Sequence, residues 1–426
     1  MPAGAGRGSS TWAGAACNVG RVAKGVARAP NGRTITLIGR PGADIVDPAA
    51  LNPKIARFLE EVRPATPCLV LDLDVVVEQY RHLSEALPLA RVYYAVKANP
   101  APEVIRVLAA QGSSFDVASP SEIDMCLAAG VPGSSLSYGS TIKKATDIAY
   151  AYERGVRLYA FDSIGELEKI AEAAPGSDVV CRILTSNEGA EWPLSRKFGC
   201  EIEMAAGLLG LSGRLGLNAV GVTFHVGSQQ RHPRQWDEAI ALTGRLFSEL
   251  ASSGVELRMV NLGGGFPAHY RGQVPTIEAY AEAIMKAMDY HFGGNLPEMI
   301  VEPGRYLTGD AGVIRSEVVL VSWKCEGDDK RWVYLDVGIF GGLAEAMGEA
   351  IKYHMLTSAD GGPVGPVVIA GPTCDSVDIL YETADYRLPL DLAIGDTVDI
   401  LSAGAYTTCY STVGFNGFGP LACYCI

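Results

Sequence analysis

Residues 93–100 read YYAVKANP, a short run of β-forming residues that ends near a lysine, Lys97. The run predicts a buried strand, Tyr93–Ala98, and the amphipathic segment after it, PEVIRVLAAQG (102–112), predicts a helix. Three more amphipathic segments repeat the pattern: SEIDMCLAAG (121–130), ATDIAYAYERG (145–155) and IGELEKIAEAA (164–174). Strands that alternate with helices are typical of parallel β/α units.

Eight strands of this kind are predicted between residues 66 and 304. They are Tyr93–Ala98, Phe115–Ser119, Leu136–Ser140, Leu158–Asp162, Val179–Leu184, Val220–Gly227, Met259–Gly265 and Met299–Gly304. Eight β/α units over about 240 residues favour a closed (β/α)8 barrel of the TIM type. An open doubly wound sheet would have fewer strands and a GxGxxG turn after the first of them, and the sequence has no such turn there.

The pattern changes after Arg305, where strand-like segments separated by Gly and Pro turns follow one another. One helical stretch, GLAEAMGEAIKYHM (342–355), interrupts them. We expect a second, mostly β domain made of residues 34–65 and 305–426, completed by a strand at Thr34–Gly39. The first 33 residues are predicted to be a flexible basic arm, and a transit peptide is the alternative, because residues 1–43 contain six basic groups and no acid.

Composition and net charge exclude several classes of protein. The chain has 426 residues and a formal charge of −13, which argues against binding to nucleic acid or to an anionic membrane. Its ten cysteines form no CxxC framework and have no histidine cluster beside them, so we expect no metal site and reduced thiols in the cytoplasm. No apolar run approaches the roughly 20 residues that a transmembrane helix needs.

Polar residues at the carboxyl ends of barrel strands are the candidate site, because catalytic groups of such barrels lie there. Partial burial would lower the pKa of the Lys97 amine and let it attack a carbonyl group, although a lysine at a strand end often faces solvent. Gly263–Gly265 could bind a phosphate through backbone N–H groups, or could form only a tight turn. Glu302 and Arg305 lie at the end of the eighth predicted strand and indicate two ligand contacts or one ion pair.

Two further segments are candidates. His225 and Ser228 end the sixth strand in FHVGSQ, where a histidine could stack on a planar ring, act as acid or base, or belong to the core. Cys374 and Asp375 lie in GPTCDSVD, in a Gly-Pro loop that we expect at the surface, although a lone cysteine is usually inert.

Eight ordered motifs together resemble the ornithine decarboxylase family, the fold-type III or alanine-racemase-like decarboxylases that use pyridoxal 5′-phosphate (PLP), and the resemblance to bacterial ornithine/lysine decarboxylases runs from about residue 50 to the C-terminus. The motifs are YYAVKANP, FDVASPSEI, SRKFG, HVGSQ, NLGGGFP, EPGRY, GPTCDSVD and GAYTTCYSTVGFNGF. The resemblance implies that Lys97 binds the cofactor aldehyde covalently and that Glu302 pairs with the pyridine nitrogen. The other implied cofactor contacts are Asp116, Arg182, His225, Ser228, Gly263, Gly264, Gly265, Gly304, Arg305 and Tyr406.

The family resemblance also implies a homodimer with shared active sites. Cys374 would reach the neighbouring subunit and protonate the substrate carbon after CO₂ leaves, with His225 as a further catalytic group. Asp375 would bind the distal amine of a basic amino acid, and Phe415 would line the same substrate site. Lys197 and Asp378 match a salt bridge of the family across the interface.

One position departs from the family. Eukaryotic ornithine decarboxylases have a second aspartate for the distal amine, whereas this chain has Val337 there and Asp336 one residue earlier. Asp336 is the candidate for this second contact with the substrate. A shift of one residue turns a strand side chain to the other face, so lysine is expected as an additional substrate.

The expected activity is therefore the decarboxylation of ornithine to putrescine, a step of polyamine biosynthesis, with lysine to cadaverine as a second reaction. Glu302 supports decarboxylation, because a protonated pyridine ring accepts the electrons that CO₂ leaves behind. Diaminopimelate and arginine decarboxylases of the same fold are the enzymatic alternatives. A catalytically dead regulator like the antizyme inhibitors is the non-enzymatic one.

Overall fold

The computed structural model describes residues 50–192 and 197–426, together with the strands Gly25–Arg28 and Thr34–Leu37. These two strands pair with each other in an antiparallel ladder. The strand expected at Thr34–Gly39 is thus present at Thr34–Leu37, but its partner is Gly25–Arg28. The rest of the predicted basic arm lies outside the described residues.

The predicted barrel is confirmed: eight parallel strands close on themselves. In chain order, barrel strands 1 to 8 are Ala90–Ala95, Ser114–Val117, Leu136–Tyr138, Leu158–Phe161, Asp178–Arg182, Asn218–Thr223, Met259–Asn261 and Glu298–Val301. Most of them end two to four residues before the predicted end. The candidate residues Lys97, His225 and Glu302 therefore lie in the turns after the strands.

Helices surround the barrel and follow its strands in turn. The helices that begin within the barrel segment are Leu73–Ala86, Pro102–Ala110, Pro120–Ala128, Ala145–Glu153, Ile164–Ala173, Ile202–Ser212, Gln235–Ser252, Ile277–Phe292 and the short Arg305–Thr308. Local sequence sets where they begin: at Pro120–Ala128 the Ser119 hydroxyl accepts the N–H of Glu122, and Pro120 occupies the first turn. A separate two-stranded antiparallel sheet pairs Ala190–Trp192 with Ser228–Gln230.

The second domain is a nine-stranded, mostly antiparallel sheet with its own apolar core. Its strands are Cys68–Leu71, Gly312–Ser322, Arg331–Leu335, Met355–Thr357, Val364–Ala370, Ile379–Tyr381, Arg387–Pro389, Thr397–Ile400 and Ala422–Cys425. The helix Pro53–Val62 packs Ile55 and Leu59 against this sheet. Cys68–Leu71 lies inside the segment expected to be barrel, yet all four of its residues are buried between Gly312–Ser322 and Ala422–Cys425.

The prediction of a helix at residues 342–355 is wrong. The structure has a 3₁₀ segment, Ala344–Glu349, which is itself broken because Gly348 has a φ of 63°. The backbone leaves the helical region at Met347, with a ψ of 131°, and at Gly348. Just before this break, the buried carboxylate of Glu345 (3 % exposed) accepts hydrogen bonds from Arg305 of the barrel. Among the described residues, no helix is long and apolar enough to cross a membrane.

Candidate active site

Lys97 lies in a 3₁₀ turn, Val96–Ala98, directly after barrel strand 1. Its side chain is half exposed, and its Nζ is 4.0 Å from the buried carboxylate oxygen Oδ2 of Asp116, at the end of barrel strand 2. The second domain holds the backbone of this turn. Tyr406 donates its N–H to the Ala98 carbonyl at 2.7 Å, and the Cys409 thiol faces the Lys97 carbonyl at 3.1 Å.

The expected lowering of the Lys97 pKa is wrong for this arrangement. Burial does oppose the charge on the amine, but the negative groups around it, first Asp116 and then Tyr406 and Glu302, raise the pKa above its ordinary value. The effect of the nearby negative groups on the pKa of Lys97 therefore outweighs the effect of burial.

Asp116 is almost fully buried, and its Oδ1 has no hydrogen-bond partner among the described residues. Burial and the nearby Glu302 raise the pKa of this carboxyl well above its ordinary value, against the opposing effect of Lys97. A buried polar atom without a partner is unusual in a folded protein and indicates a place for a ligand or water.

Glu302, after barrel strand 8, shares this pocket with Asp116 and with Arg182 of barrel strand 5. Asn261, the last residue of barrel strand 7, donates its Nδ2 hydrogen to Glu302 Oε1 at 2.5 Å. The sequence analysis missed Asn261 as a site residue. The available signal was its place directly before the three glycines in NLGGGFP.

His225 is a neutral imidazole in this pocket. Its Nδ1 accepts the backbone N–H of Gly227 at 3.0 Å, so the proton of the ring is on Nε2. Burial, together with the positive charges of Arg182 and Lys97, lowers the pKa of His225 well below its usual 6.5. A neutral ring can lie against an aromatic cofactor without bringing a charge to it.

This pKa gives a prediction for stability. Because His225 takes up a proton more readily in the unfolded chain, the free energy of unfolding should fall as the pH drops below about 6.5, by at most about 1.4 kcal/mol per pH unit. Urea unfolding near pH 7.5 and pH 5.5 measures this. His225→Phe should show a smaller loss between the two pH values than the wild type, and an equal loss would contradict the assignment.

The glycine turn after barrel strand 7 can be formed only by glycine. Gly263 has a φ of 67° and Gly265 a φ of 104°. A Cβ at Gly263 would lie 2.1 Å from the Phe224 carbonyl oxygen, and one at Gly265 would lie 2.6 Å from the Gly227 carbonyl oxygen. The turn is thus pressed against the loop that carries His225 and Ser228.

Arg305 is fully bonded inside the protein. Its guanidinium donates to both carboxylate oxygens of Glu345 at 2.6 and 2.7 Å, to the Tyr270 hydroxyl at 2.7 Å and to Ser228 Oγ at 3.0 and 3.3 Å. Ser228 accepts these bonds, so its own hydroxyl hydrogen is available to a ligand. Glu345 and Tyr270 were not expected from the sequence, because no motif connects residues so far apart in the chain.

These residues fit PLP. The partnerless Asp116 Oδ1 and the half-exposed Lys97 amine share one pocket with the Glu302 carboxylate and the neutral His225. The glycine turn and the Ser228 hydroxyl supply neutral hydrogen-bond donors of the kind that bind phosphate. Gly304 packs closely here as well, since a Cβ on it would lie 3.2 Å from the Tyr406 hydroxyl. No cluster of metal-ligating side chains occurs in the described part of the chain.

The predicted catalytic residue Cys374 and the predicted substrate residues Asp375 and Phe415 lie in two loops of the second domain. The Cys374 side chain is exposed, and its backbone N–H donates to Asn416 Oδ1 at 2.9 Å, so the cysteine loop contacts the loop that carries Phe415. The same two chain segments carry several exposed apolar side chains: Val377, Tyr410, Val413, Phe415 and Phe418.

The structure does not bring Asp336 to the Lys97 pocket. Its Oδ1 accepts the Ser316 hydroxyl at 2.6 Å and the Glu317 N–H at 3.0 Å on the neighbouring strand. Val337 is fully buried in the core of the second domain. Asp378, expected at a subunit interface, is 2 % exposed and accepts hydrogen bonds from Thr373 and Ile339 of its own chain.

A cavity of about 720 Å³ lies beside the two-stranded sheet of Ala190–Trp192 and Ser228–Gln230. Glu191, Arg231 and His232 line it with Gln273 and neighbouring residues, and none of the predicted site residues does. The charged groups of the predicted site converge around Lys97 and not on this cavity, so they mark the candidate site.

Comparison with known proteins agrees with this geometry. Residues 73–309 match the model of the pyridoxal-dependent decarboxylase family, pyridoxal binding domain. The lysine/ornithine decarboxylase of Selenomonas ruminantium is 39% identical over 84% of this chain and 88% of its own length. The structure of the lysine/ornithine decarboxylase of Vibrio vulnificus complexed with cadaverine is 32% identical, has a TM-score of 0.76, and covers 87% of this chain and 95% of its own.

A second similar structure has a different substrate in its name. The arginine decarboxylase of Paramecium bursaria Chlorella virus, bound to agmatine, has a TM-score of 0.80 at 29% identity and covers 88% of this chain and all of its own. Similarity at this level thus extends over decarboxylases of several basic amino acids. With the family model covering more than half of its residues, this chain belongs to the PLP-dependent amino-acid decarboxylases.

Proposed function

We propose that this enzyme decarboxylates L-ornithine to putrescine, a reaction of polyamine biosynthesis, and that it also accepts L-lysine. The observation that carries the proposal is the pocket in which Lys97, Asp116, Glu302 and His225 meet. The relatives that act on lysine and ornithine support the substrate class. The protein is proposed to act in the cytoplasm.

The roles of the chain's own residues follow from their contacts. PLP, when bound, supplies a ring that accepts the electrons left by the departing CO₂. Lys97 provides the amine that holds the cofactor aldehyde. Glu302 accepts a hydrogen bond from the pyridine nitrogen and favours its protonated form. His225 lies against the ring as a neutral group, as its depressed pKa supports.

At the other end of the cofactor, Ser228, the glycine turn and Tyr406 bind the phosphate. Arg305 is bonded to Glu345 and Tyr270, so its contribution is to hold Ser228 in place and to supply positive charge nearby. A direct bond from Arg305 to the phosphate would require one of these contacts to open.

The remaining substrate contacts come from a second subunit. Cys374 of one protomer protonates the substrate carbon in the site of its partner, and Asp375 binds the distal amine of the substrate. The exposed apolar loops around Cys374 support a homodimer, because apolar surface grouped in this way is typical of an interface.

CO₂ release by the purified protein with PLP tests the substrate. We expect release from ornithine and a slower or comparable release from lysine. Arginine and diaminopimelate serve as matched alternatives in the same assay. Release from arginine or diaminopimelate alone would contradict the role of Asp375, and a bound cofactor with no release from any of the four would favour a regulatory protein.

The shared site gives a second prediction. Lys97→Ala and Cys374→Ala should each be nearly inactive alone, but mixing the two should restore part of the activity, because mixed dimers have one site with both residues intact. A Cys325→Ala protein is the control, since Cys325 is an exposed cysteine whose thiol bonds to Asp328. No recovery after exchange of subunits, verified by mass spectrometry, would contradict sites shared between subunits.

A further inference from the structure

Asn261 makes two contacts that connect the two ends of the cofactor pocket. It is 2 % exposed at the end of barrel strand 7. Its Oδ1 accepts the backbone N–H of Gly263 at 3.0 Å, in the glycine turn. Its Nδ2 donates to Glu302 Oε1 at 2.5 Å. One side chain therefore contacts both the group proposed to meet the pyridine nitrogen and the turn proposed to bind the phosphate.

The orientation of this amide is fixed by its neighbours. A backbone N–H can only donate, so the atom that faces Gly263 must be the amide oxygen. The nitrogen then necessarily faces Glu302, and a carboxylate is the acceptor that such a donor requires. The glycine turn thus ensures that Glu302 receives a hydrogen bond from a neutral group.

The charge of the surroundings explains why a neutral donor is suitable here. The charged side chains that interact with Glu302 from the neighbouring strands are Lys97, Asp116 and Arg182. Asp116 is already a second carboxyl group, buried and close enough to Glu302 for Glu302 to disfavour the charge of Asp116. Asn261 binds Glu302 without adding a third negative group.

We propose that Asn261 is a positioning residue, which orients Glu302 as a charged acceptor for the pyridine nitrogen and ties that orientation to the Gly263 turn. The inference rests on the proposed role of Glu302 in cofactor binding. It concerns how the chain holds the cofactor and is independent of which basic amino acid is the substrate.

Asn261→Asp tests the proposal with the smallest change. The new carboxylate has the same shape and still accepts the Gly263 N–H, so the turn is retained. Only the contact with Glu302 changes, because two carboxyl groups in direct contact must share one proton. That proton reduces the charge that Glu302 can offer to a ligand.

Two measurements on the full-length protein freed of cofactor should then change with pH in opposite directions. The affinity of Asn261→Asp for PLP, followed by the absorbance of the bound cofactor, should be about tenfold weaker than that of the wild type near pH 6 and should recover as the pH rises. The stability of the variant to urea should fall over the same pH interval, because the folded pair holds a proton that the unfolded chain releases.

A purely structural role would not produce opposite trends. Asn295→Asp, the same change at an exposed position, should leave both measurements as in the wild type. PLP affinity of Asn261→Asp equal to that of the wild type at every pH, or weakened equally at every pH, would overturn the proposal. CO₂ release from ornithine is measured separately, so an error in the substrate would change that assay and leave the pH trends intact.

Discussion

Replacing Lys97 by alanine should slow CO₂ release from ornithine by roughly 10²- to 10⁴-fold or more, the range found when a group that acts directly on the reacting atoms is removed. The reason is chemical, since Lys97 is the lysine whose amine interacts with Asp116 and Glu302 in the pocket. The loss should appear in kcat at saturating PLP, and the cofactor should be removable by gel filtration.

Lys286→Ala is the matched control for this variant. Lys286 is exposed on the helix Ile277–Phe292, so the same change of side chain should leave the rate unaltered. Lys97→Arg distinguishes the effect of the positive charge from that of the reactive amine. The arginine keeps a positive group near Asp116 but cannot lose its proton to attack an aldehyde. Normal turnover in Lys97→Ala would contradict the whole assignment of the site.

The second large effect concerns stability. Glu345→Ala should lower the free energy of unfolding by about 3–5 kcal/mol, because it leaves the buried guanidinium of Arg305 without its carboxylate partner. Both side chains are at most 4 % exposed, so water cannot replace the lost bonds. Urea unfolding in the absence of PLP measures the loss.

Two comparisons make this prediction specific. Asp178→Ala breaks an ion pair of similar length with Arg258, but that pair is partly exposed, so its loss should cost less than about 1 kcal/mol. Replacing both members of the buried pair, Arg305→Met with Glu345→Leu, should recover much of the stability without recovering activity. If Asp178→Ala and Glu345→Ala lost equal amounts of stability, burial of the ion pair would not explain the loss in Glu345→Ala.

The sequence was sufficient to predict the barrel, because each of its strands is a local apolar run and each helix has an amphipathic pattern of its own. It also predicted that Lys97, His225 and Glu302 would lie at one end of the barrel, since the carboxyl ends of parallel strands share an edge. These predictions depend on short-range patterns that one chain displays directly.

What the sequence did not reveal depends on contacts between distant segments. Glu345 lies in a stretch with helical periodicity, and only the folded chain shows that its carboxylate is drawn to Arg305, 40 residues away. The pKa of Lys97 likewise depends on Asp116 and Glu302, which come from other strands. Such effects depend on distances that periodicity does not encode.

The position of Cys68–Leu71 has a consequence for how the molecule is made. This strand pairs with Gly312–Ser322 on one side and with Ala422–Cys425 on the other, so the whole barrel is inserted between neighbouring strands of one sheet. During translation, Cys68–Leu71 is synthesised long before either of its partner strands. Until its partners are synthesised, the apolar residues and backbone hydrogen-bonding groups of this strand remain exposed. The second partner, Ala422–Cys425, is complete only after more than 350 further residues have been added. Chaperones that shield unpaired strand edges should consequently matter more for the yield of this protein than for that of a barrel alone.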